Sequence, residues 1–283
     1  MRPAERLTLA AVAGLAVLTL AVRPEGALVR VAAFAALGAA TLGLARAPAR
    51  GPAAFARDWL PVGAVLAVFL LLEPVIEAAV PWRLDAALGA FDSRHLAGLV
   101  AAWRGAFGRP DAFTDAAYLA YFSYYLLPLT SAVIAWRAGP GEFGRTSFAL
   151  LLAFYLTFLG YLLLPASGPR LPPGAEAGLL GGGAPSVTVR AFLRAAEATT
   201  LDAFPSGHTA ISVVAAAAGA RLTGRATAAA LWLWAAAVVF STVYIHVHYA
   251  IDVVAGLGLA AVVLGVDAAR SRQDAGPARP LKR

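Results

Sequence analysis

The chain has 283 residues, of which 60% are apolar and 14% charged, and its mean hydropathy is +0.72. Soluble domains carry roughly 25% charged residues, so a soluble fold is excluded and a polytopic membrane protein is predicted. The absence of cysteine excludes disulfides and thiolate chemistry, and the net charge of +7 indicates basic loops beside a membrane and not a nucleic-acid partner.

Hydropathy predicts eight membrane segments separated by polar or turn-forming stretches. They are 7–22, 27–45, 60–80, 114–136, 146–165, 206–221, 226–244 and 249–266. The sixth and the first, with 16 residues each, are the shortest, and in the sixth this is typical of a helix whose end opens into a site. We therefore expect an all-α membrane bundle of about eight transmembrane helices, with a six-helix core after two N-terminal helices.

Charge sets the expected orientation and the domain limits. With the N-terminus inside, the loops on that side hold 14 of the 23 basic residues and five of the 16 acids, which leaves 23 − 14 = 9 basic and 16 − 5 = 11 acidic residues elsewhere. This asymmetry predicts cytoplasmic termini in a bacterial-type inner membrane. The predicted units are an N-terminal two-helix segment (1–58), a membrane domain (59–267) and a basic tail (268–283).

A turn immediately before the sixth segment carries the first chemical signal, Pro205-Ser206-Gly207-His208. Ser206 is a good N-cap, and the N–H groups at a helix start attract anions. Gly207 allows close approach of the backbone. His208 in the first turn could give a proton to a leaving oxygen. The alternative is a plain capped helix whose histidine bonds a loop.

The second signal is His248 followed four residues later by Asp252. This spacing predicts both side chains on one face of the eighth helix. The carboxylate could hold one ring nitrogen and leave the other free as a nucleophile. A purely structural pair is the alternative. The topology places His208, His248 and Arg170 at the same, extracytoplasmic face.

Together these residues resemble the type-2 phosphatidic acid phosphatase superfamily, which includes membrane lipid phosphatases and related haloperoxidases. The second family motif is met by residues 205–208. The third motif, Ser-Arg, five residues, His, three residues, Asp, is met at Ser241, His248 and Asp252. The resemblance covers about residues 150–265.

The resemblance implies a mechanism without metal or cofactor, acting on a lipid phosphoester. His248 would be the nucleophile and form a transient phosphohistidine, while Asp252 would orient it. His208 would be the general acid. Ser206 and the Gly207 amide would bind phosphoryl oxygens.

Two departures from the family pattern concern the phosphate ligands. Thr242 replaces the arginine of the third motif, and the first motif, which begins with lysine, is absent. Arg170 is the candidate ligand that remains. Its surroundings, and the tyrosine-rich stretch 118–125, are similar to the branch containing fungal inositol phosphorylceramide synthase. Ser241, Tyr161 and Tyr125 are further candidate substrate contacts.

Three functions follow from this pattern. A phosphotransferase that delivers a headgroup to a lipid hydroxyl is slightly favoured, because the departures fit that branch. A lipid phosphatase would use water as the acceptor. A non-catalytic lipid-binding or transport protein is the third, although intact His208, His248 and Asp252 argue against it. Glu73 and Glu77, inside the third segment, are expected to pair with an arginine or to be hydrated.

Overall fold

The computed structural model describes residues 1–46, 51–170, 179–196 and 200–274, and these residues form helices and no strand. The predicted all-α bundle is therefore confirmed. The α-helices are α1 (Pro3–Val22), α2 (Ala27–Leu44), α3 (Pro52–Ala79), α4 (Asp85–Phe91), α5 (Ala97–Gly105), α6 (Asp111–Phe122), α7 (Leu126–Ala138), α8 (Pro140–Leu163), α9 (Ala184–Ala196), α10 (Gly207–Ala220), α11 (Arg225–Tyr244) and α12 (Ala250–Asp274). A π-helical turn (Asp92–Leu96) joins α4 to α5, and a 3₁₀ turn (Ser123–Tyr125) joins α6 to α7.

Seven helical stretches in the described parts of the chain are long and apolar enough to cross a membrane. They are α1, α2, α3, the continuous stretch Asp111–Ala138, α8, α11 and α12. The predicted sixth segment is α10, which has 14 residues and is too short to span a bilayer alone. The last helix continues to Asp274, so most of the predicted basic tail, 275–283, lies outside the described residues.

The short helix α10 lies at the centre of the bundle, where it packs against α7, α8, α11 and α12. Its sequence is rich in alanine and glycine, and nearly every residue is buried. A Cβ on Gly219 would lie 2.8 Å from Leu231 and 2.9 Å from the Ser131 hydroxyl. Small residues therefore permit the close helix contacts that stabilise a membrane bundle.

The first two helices form a hairpin, and both pack against α3. Glu5 on α1 is buried and forms an ion pair of 2.7 Å with Arg57 on α3, and Arg2 pairs with Asp58. A buried carboxylate needs such a partner in a membrane. Because α3 also packs against α8, it connects the N-terminal hairpin to the rest of the bundle.

The segment from α4 to α5 covers one end of the bundle. The turn between these helices and α4 itself contact α12, and α5 contacts α11. The indole N–H of Trp103 on α5 donates to the Phe240 carbonyl at 3.0 Å. This cap lies at the same end as the two histidine motifs.

Candidate active site

Three loops meet at the capped end of the bundle: 165–170, 200–206 and 245–249. The Ala203 N–H donates to the Ala166 carbonyl at 2.9 Å, which joins the first two loops. Gly168, with φ +79°, lies directly against the Val247 carbonyl, where a Cβ would not fit. The loops therefore hold one another in register through backbone contacts.

The two motif histidines contact each other inside this junction. The Nδ1 atom of His208 lies 3.2 Å from Nε2 of His248, and Nδ1 of His248 lies 3.4 Å from Oδ2 of Asp252. His248 is 1% exposed and Asp252 is fully buried. Within the described residues, Nε2 of His208 and Oδ1 of Asp252 have no hydrogen-bond partner. The structure thus brings together an acid candidate, a nucleophile candidate and an orienting carboxylate.

The local structure around His248 differs from the sequence expectation. We expected His248 and Asp252 on one face of a helix, but α12 begins at Ala250 and His248 lies in the preceding loop. The Asp252 side chain turns back and accepts the Tyr249 N–H at 2.8 Å. Because this carboxylate caps the helix start, it still reaches the imidazole. The contact between His248 and Asp252 is therefore present, but it comes from the turned-back side chain and not from helical spacing.

The start of α10 has the predicted cap. The Ser206 hydroxyl accepts the Thr209 N–H at 3.2 Å, and the Ser206 N–H donates to the Asp252 carbonyl at 3.0 Å. This second bond ties the Pro-Ser-Gly-His turn directly to α12. The prediction that Ser206 is an N-cap is confirmed, and its contact with phosphoryl oxygens stays a prediction.

Tyr161, near the end of α8, lies against the turn that carries His208. A Cβ on Gly207 would be 2.5 Å from the Tyr161 hydroxyl and 3.0 Å from a methyl group of Thr157. Glycine is therefore required at this position by close packing of α8 and α10, as well as by any need to approach an anion.

Two tyrosines hold the His208 ring. The ring centroid of Tyr121 lies 4.4 Å from that of His208, and the ring of Tyr124 lies at 4.3 Å. Tyr121 stacks on the imidazole and Tyr124 is tilted to it by 44°, so the two rings together restrict its plane. Sequence reasoning selected Tyr125 but not Tyr124. The 3₁₀ turn at Ser123–Tyr125 changes the helical phase, and this turn carries no clear sequence signal.

Arg170 is held at the site by Asp202, which sequence reasoning missed. Its Nη2 donates to Asp202 at 2.7 Å and its Nε donates to the Ser167 carbonyl at 3.0 Å. Asp202 and His208 line the same cavity, so Asp202 holds the guanidinium at the histidine end of the bundle. The sequence signal for Asp202 is only the presence of an acid four residues before Ser206, and this signal is weak.

The third-motif residues Ser241 and Thr242 are buried in α11. The Ser241 hydroxyl donates to the Val238 carbonyl at 2.6 Å, and the Thr242 hydroxyl donates to the Val239 carbonyl at 2.8 Å. The Thr242 carbonyl accepts the His248 N–H at 3.1 Å. Thr242 thus supports the loop that carries His248 through its backbone carbonyl. The role of Ser241 as a substrate contact stays a prediction.

Two further carboxylates lie in the segment from α4 to α5 and accept hydrogen bonds from backbone N–H groups near the site. Asp85 accepts the N–H groups of Ser167 and Gly168 at 3.0 and 2.9 Å. Asp92 accepts those of Ala250 and Ile251 at 2.7 and 3.1 Å. Nothing in the local sequence indicated these long-range contacts.

His246 lies in the same loop as His248 but faces a different environment. It is buried, has φ +62°, and its Nε2 has no hydrogen-bond partner in the described residues. Burial, together with the charges of Arg104 and Arg109, lowers the pKa of His246 from 6.5 to about 4. The imidazole is therefore neutral at physiological pH.

An apolar cavity of about 340 Å³, lined by residues of α3, α7, α8 and α10, reaches His208. Tyr125, Tyr161 and Asp202 line it near the histidine. Tyr125 is 41% exposed and contacts the Tyr124 ring at a centroid distance of 5.4 Å. Of the candidate substrate contacts, Tyr125 and Tyr161 thus share a cavity with His208.

Among known proteins, one superfamily matches most of the chain. No curated protein and no solved structure matches the chain. A sequence model described as the PAP2 superfamily matches residues 82–266, which include both histidine motifs and well over half of the chain. The protein therefore belongs to the PAP2 superfamily, and this membership supports a phosphatase-type enzyme that acts on lipids.

Proposed function

We propose that this membrane protein transfers the phosphoryl group of a lipid phosphoester through a covalent intermediate on His248. The observation that carries the proposal is the contact of 3.2 Å between Nδ1 of His208 and Nε2 of His248, with Asp252 on the other side of the second ring. A nucleophile, its orienting group and an acid are thereby aligned in a buried site.

We place the protons of the two imidazole rings by their hydrogen-bond partners. With its Nδ1–H directed at the Asp252 carboxylate, His248 has an unprotonated Nε2 as the nucleophilic atom. This Nε2 attacks phosphorus, and the bond between phosphorus and the leaving lipid oxygen breaks. His208 enters this step as the imidazolium, gives one of its two ring protons to the leaving oxygen and becomes neutral. The products of this step are a lipid alcohol and phosphorylated His248.

The second step returns the enzyme to its starting state. An acceptor hydroxyl attacks phosphorus, its proton passes to His208, and the bond from phosphorus to Nε2 of His248 breaks. A lipid hydroxyl as acceptor gives headgroup transfer, as in the inositol phosphorylceramide synthase-like branch, and water gives a phosphatase. We favour transfer, because Thr242 and the absent first-motif lysine fit that branch. Arg170 supplies the cationic contact for the phosphoryl oxygens.

Orientation and domain limits belong to the same proposal. The charge asymmetry supports cytoplasmic termini in a bacterial-type inner membrane, with the site at the extracytoplasmic face. We retain the N-terminal two-helix segment 1–58, the membrane domain 59–267 and the basic tail 268–283.

The test is direct trapping of the intermediate. Purified protein is mixed with phosphatidate or undecaprenyl pyrophosphate carrying a radioactive phosphate, quenched in alkali and examined for acid-labile label on the protein. We expect label on wild type and none on His248→Ala, with His246→Asn as a control that keeps it, because asparagine tolerates the left-handed backbone at this position. Full turnover by His248→Ala would contradict the mechanism.

Product analysis separates the alternatives. Free phosphate indicates water as the acceptor, whereas a new phospholipid with little free phosphate indicates transfer. Binding of lipid phosphates without label or product, across the donors tried, would favour a non-catalytic lipid-binding or transport protein. The buried His208–His248 contact argues against that third function, because a binder needs no oriented nucleophile.

A further inference from the structure

The cavity that reaches His208 has two chemically different ends. Near the histidine it is lined by the carboxylate of Asp202 and by tyrosines. Away from it the lining is aliphatic and aromatic, including Leu150, Leu151 and Phe154 of α8. A ligand that fills this space must therefore join a polar group to a hydrocarbon chain.

One wall of the cavity comes from α3, which ends before the segment shared with the PAP2 superfamily, residues 82–266. The α3 residues in the wall lie along about two turns of the helix. They are Val62, Gly63, Val65, Leu66 and Phe69. The family segment alone would leave this side of the cavity open.

The cavity opens sideways, toward the space that membrane lipids occupy. Leu66 on α3 and Leu129 on α7 line it and are 58% and 45% exposed. A Cβ built on Gly63 meets no atom within 4 Å, so the wall has free space at this position. A lipid chain can therefore enter between α3 and α7 without leaving the hydrocarbon layer.

We propose that this cavity binds one hydrocarbon chain of the lipid substrate and that α3 determines which chain fits. The inference rests on the proposed function, which places the lipid's phosphoester beside His208. A chain that moves from the bilayer into the cavity exchanges one apolar environment for another, so shape more than hydrophobicity decides the fit. The wall thus selects the lipid by chain length and branching.

A second contact connects α3 to the reactive end of the cavity. Glu73, one turn beyond Phe69, accepts the N–H and the hydroxyl of Thr200 at 3.1 and 2.7 Å. Thr200 lies two residues before Asp202, which holds Arg170. The helix that forms one wall of the cavity therefore also anchors the loop whose Asp202 holds Arg170.

The experiment uses a phosphatidate with a photoreactive diazirine within one acyl chain. After irradiation of the full-length protein in lipid nanodiscs, peptide mass spectrometry locates the label. We expect label on the cavity walls of α3, α7 or α8 in wild type. Gly63→Trp fills the open space and should reduce that label by about tenfold. Gly258→Trp is the matched control, because Gly258 on α12 also has nothing within 4 Å and does not line the cavity.

Equal labelling of the cavity walls in all three proteins, or label confined to residues outside the cavity, would overturn the inference. Trapping of phosphate on His248 tests the proposed function without reference to the cavity. A labelled His248 with unchanged photolabelling in Gly63→Trp refutes the chain site alone. Loss of cavity label in Gly63→Trp without phosphate on His248 in wild type refutes the reaction alone.

Discussion

The Asp92 carboxylate lies 2.7 Å from the backbone nitrogen of Ala250, at the first residue of α12. Its other oxygen accepts the N–H of Ile251 at 3.1 Å. These charge-assisted bonds fix the start of the helix that carries Asp252 and the loop that carries His248. A residue more than 150 positions away in sequence thereby positions the candidate nucleophile.

The first prediction concerns this support. Asp92→Asn keeps one acceptor oxygen and turns an N–H₂ group toward a backbone N–H, so α12 should shift at its start. A small displacement of a nucleophile costs roughly ten- to a hundredfold in rate. We expect kcat for phosphoryl release to fall by that factor with KM little changed. Asp111→Asn is the control, because Asp111 accepts the Gly182 N–H at 2.8 Å, outside the three loops of the site. Equal rates for both variants would contradict the positioning role.

The second prediction concerns Arg170 as the phosphate contact. Arg170→Ala removes the cation beside His208 and should lower kcat by about a hundredfold. Arg170→Lys keeps the charge but cannot reproduce both the Ser167 and Asp202 bonds, so it should recover only part of the rate. Steady-state kinetics on a lipid phosphoester checks both. Arg83 is an exposed arginine at the same end of the bundle, and Arg83→Ala should retain the wild-type rate. A loss of rate in Arg83→Ala equal to that in Arg170→Ala would argue against a specific contact by Arg170.

The third prediction tests the close packing at the start of α10. In Gly207→Ala the new methyl group meets the Tyr161 hydroxyl, and overpacking of this kind displaces the backbone. We expect the rate to fall about tenfold or more. Adding Tyr161→Phe removes the clashing oxygen and should restore part of the activity, while Thr157 still limits the space. No rescue by the second substitution would show that the loss has another cause. Gly258→Ala, at an open glycine, is the control.

The fourth prediction concerns pH and His246. The folded protein keeps this imidazole neutral down to its lowered pKa of about 4, whereas an unfolded histidine takes up a proton near 6.5. Between these values the unfolded state binds more protons, so stability should fall as pH drops from 6.5 toward 4. His246→Asn tolerates the left-handed backbone and does not titrate. Thermal unfolding by light scattering in detergent should show a smaller decline in the variant. Parallel curves for both proteins would refute this assignment.

Some properties of the chain follow from sequence alone, because they depend on local order. Apolar runs longer than a bilayer is thick predict membrane helices wherever they occur. Ser206 before an apolar run predicts an N-cap, since the bond it makes spans only three residues. The two histidine motifs likewise define the family and the residue types of the candidate site without any knowledge of the fold.

Other properties required the tertiary structure, because helix rotation and loop register are set by packing among distant residues. The His208–His248 contact joins residues 40 positions apart, and the Asp252 contact comes from a turned-back side chain instead of helical spacing. The partner of Arg170 and the α3 wall of the cavity depend equally on long-range packing. Local sequence therefore identifies most of the candidate groups of the site, whereas the packing of the helices sets how those groups meet.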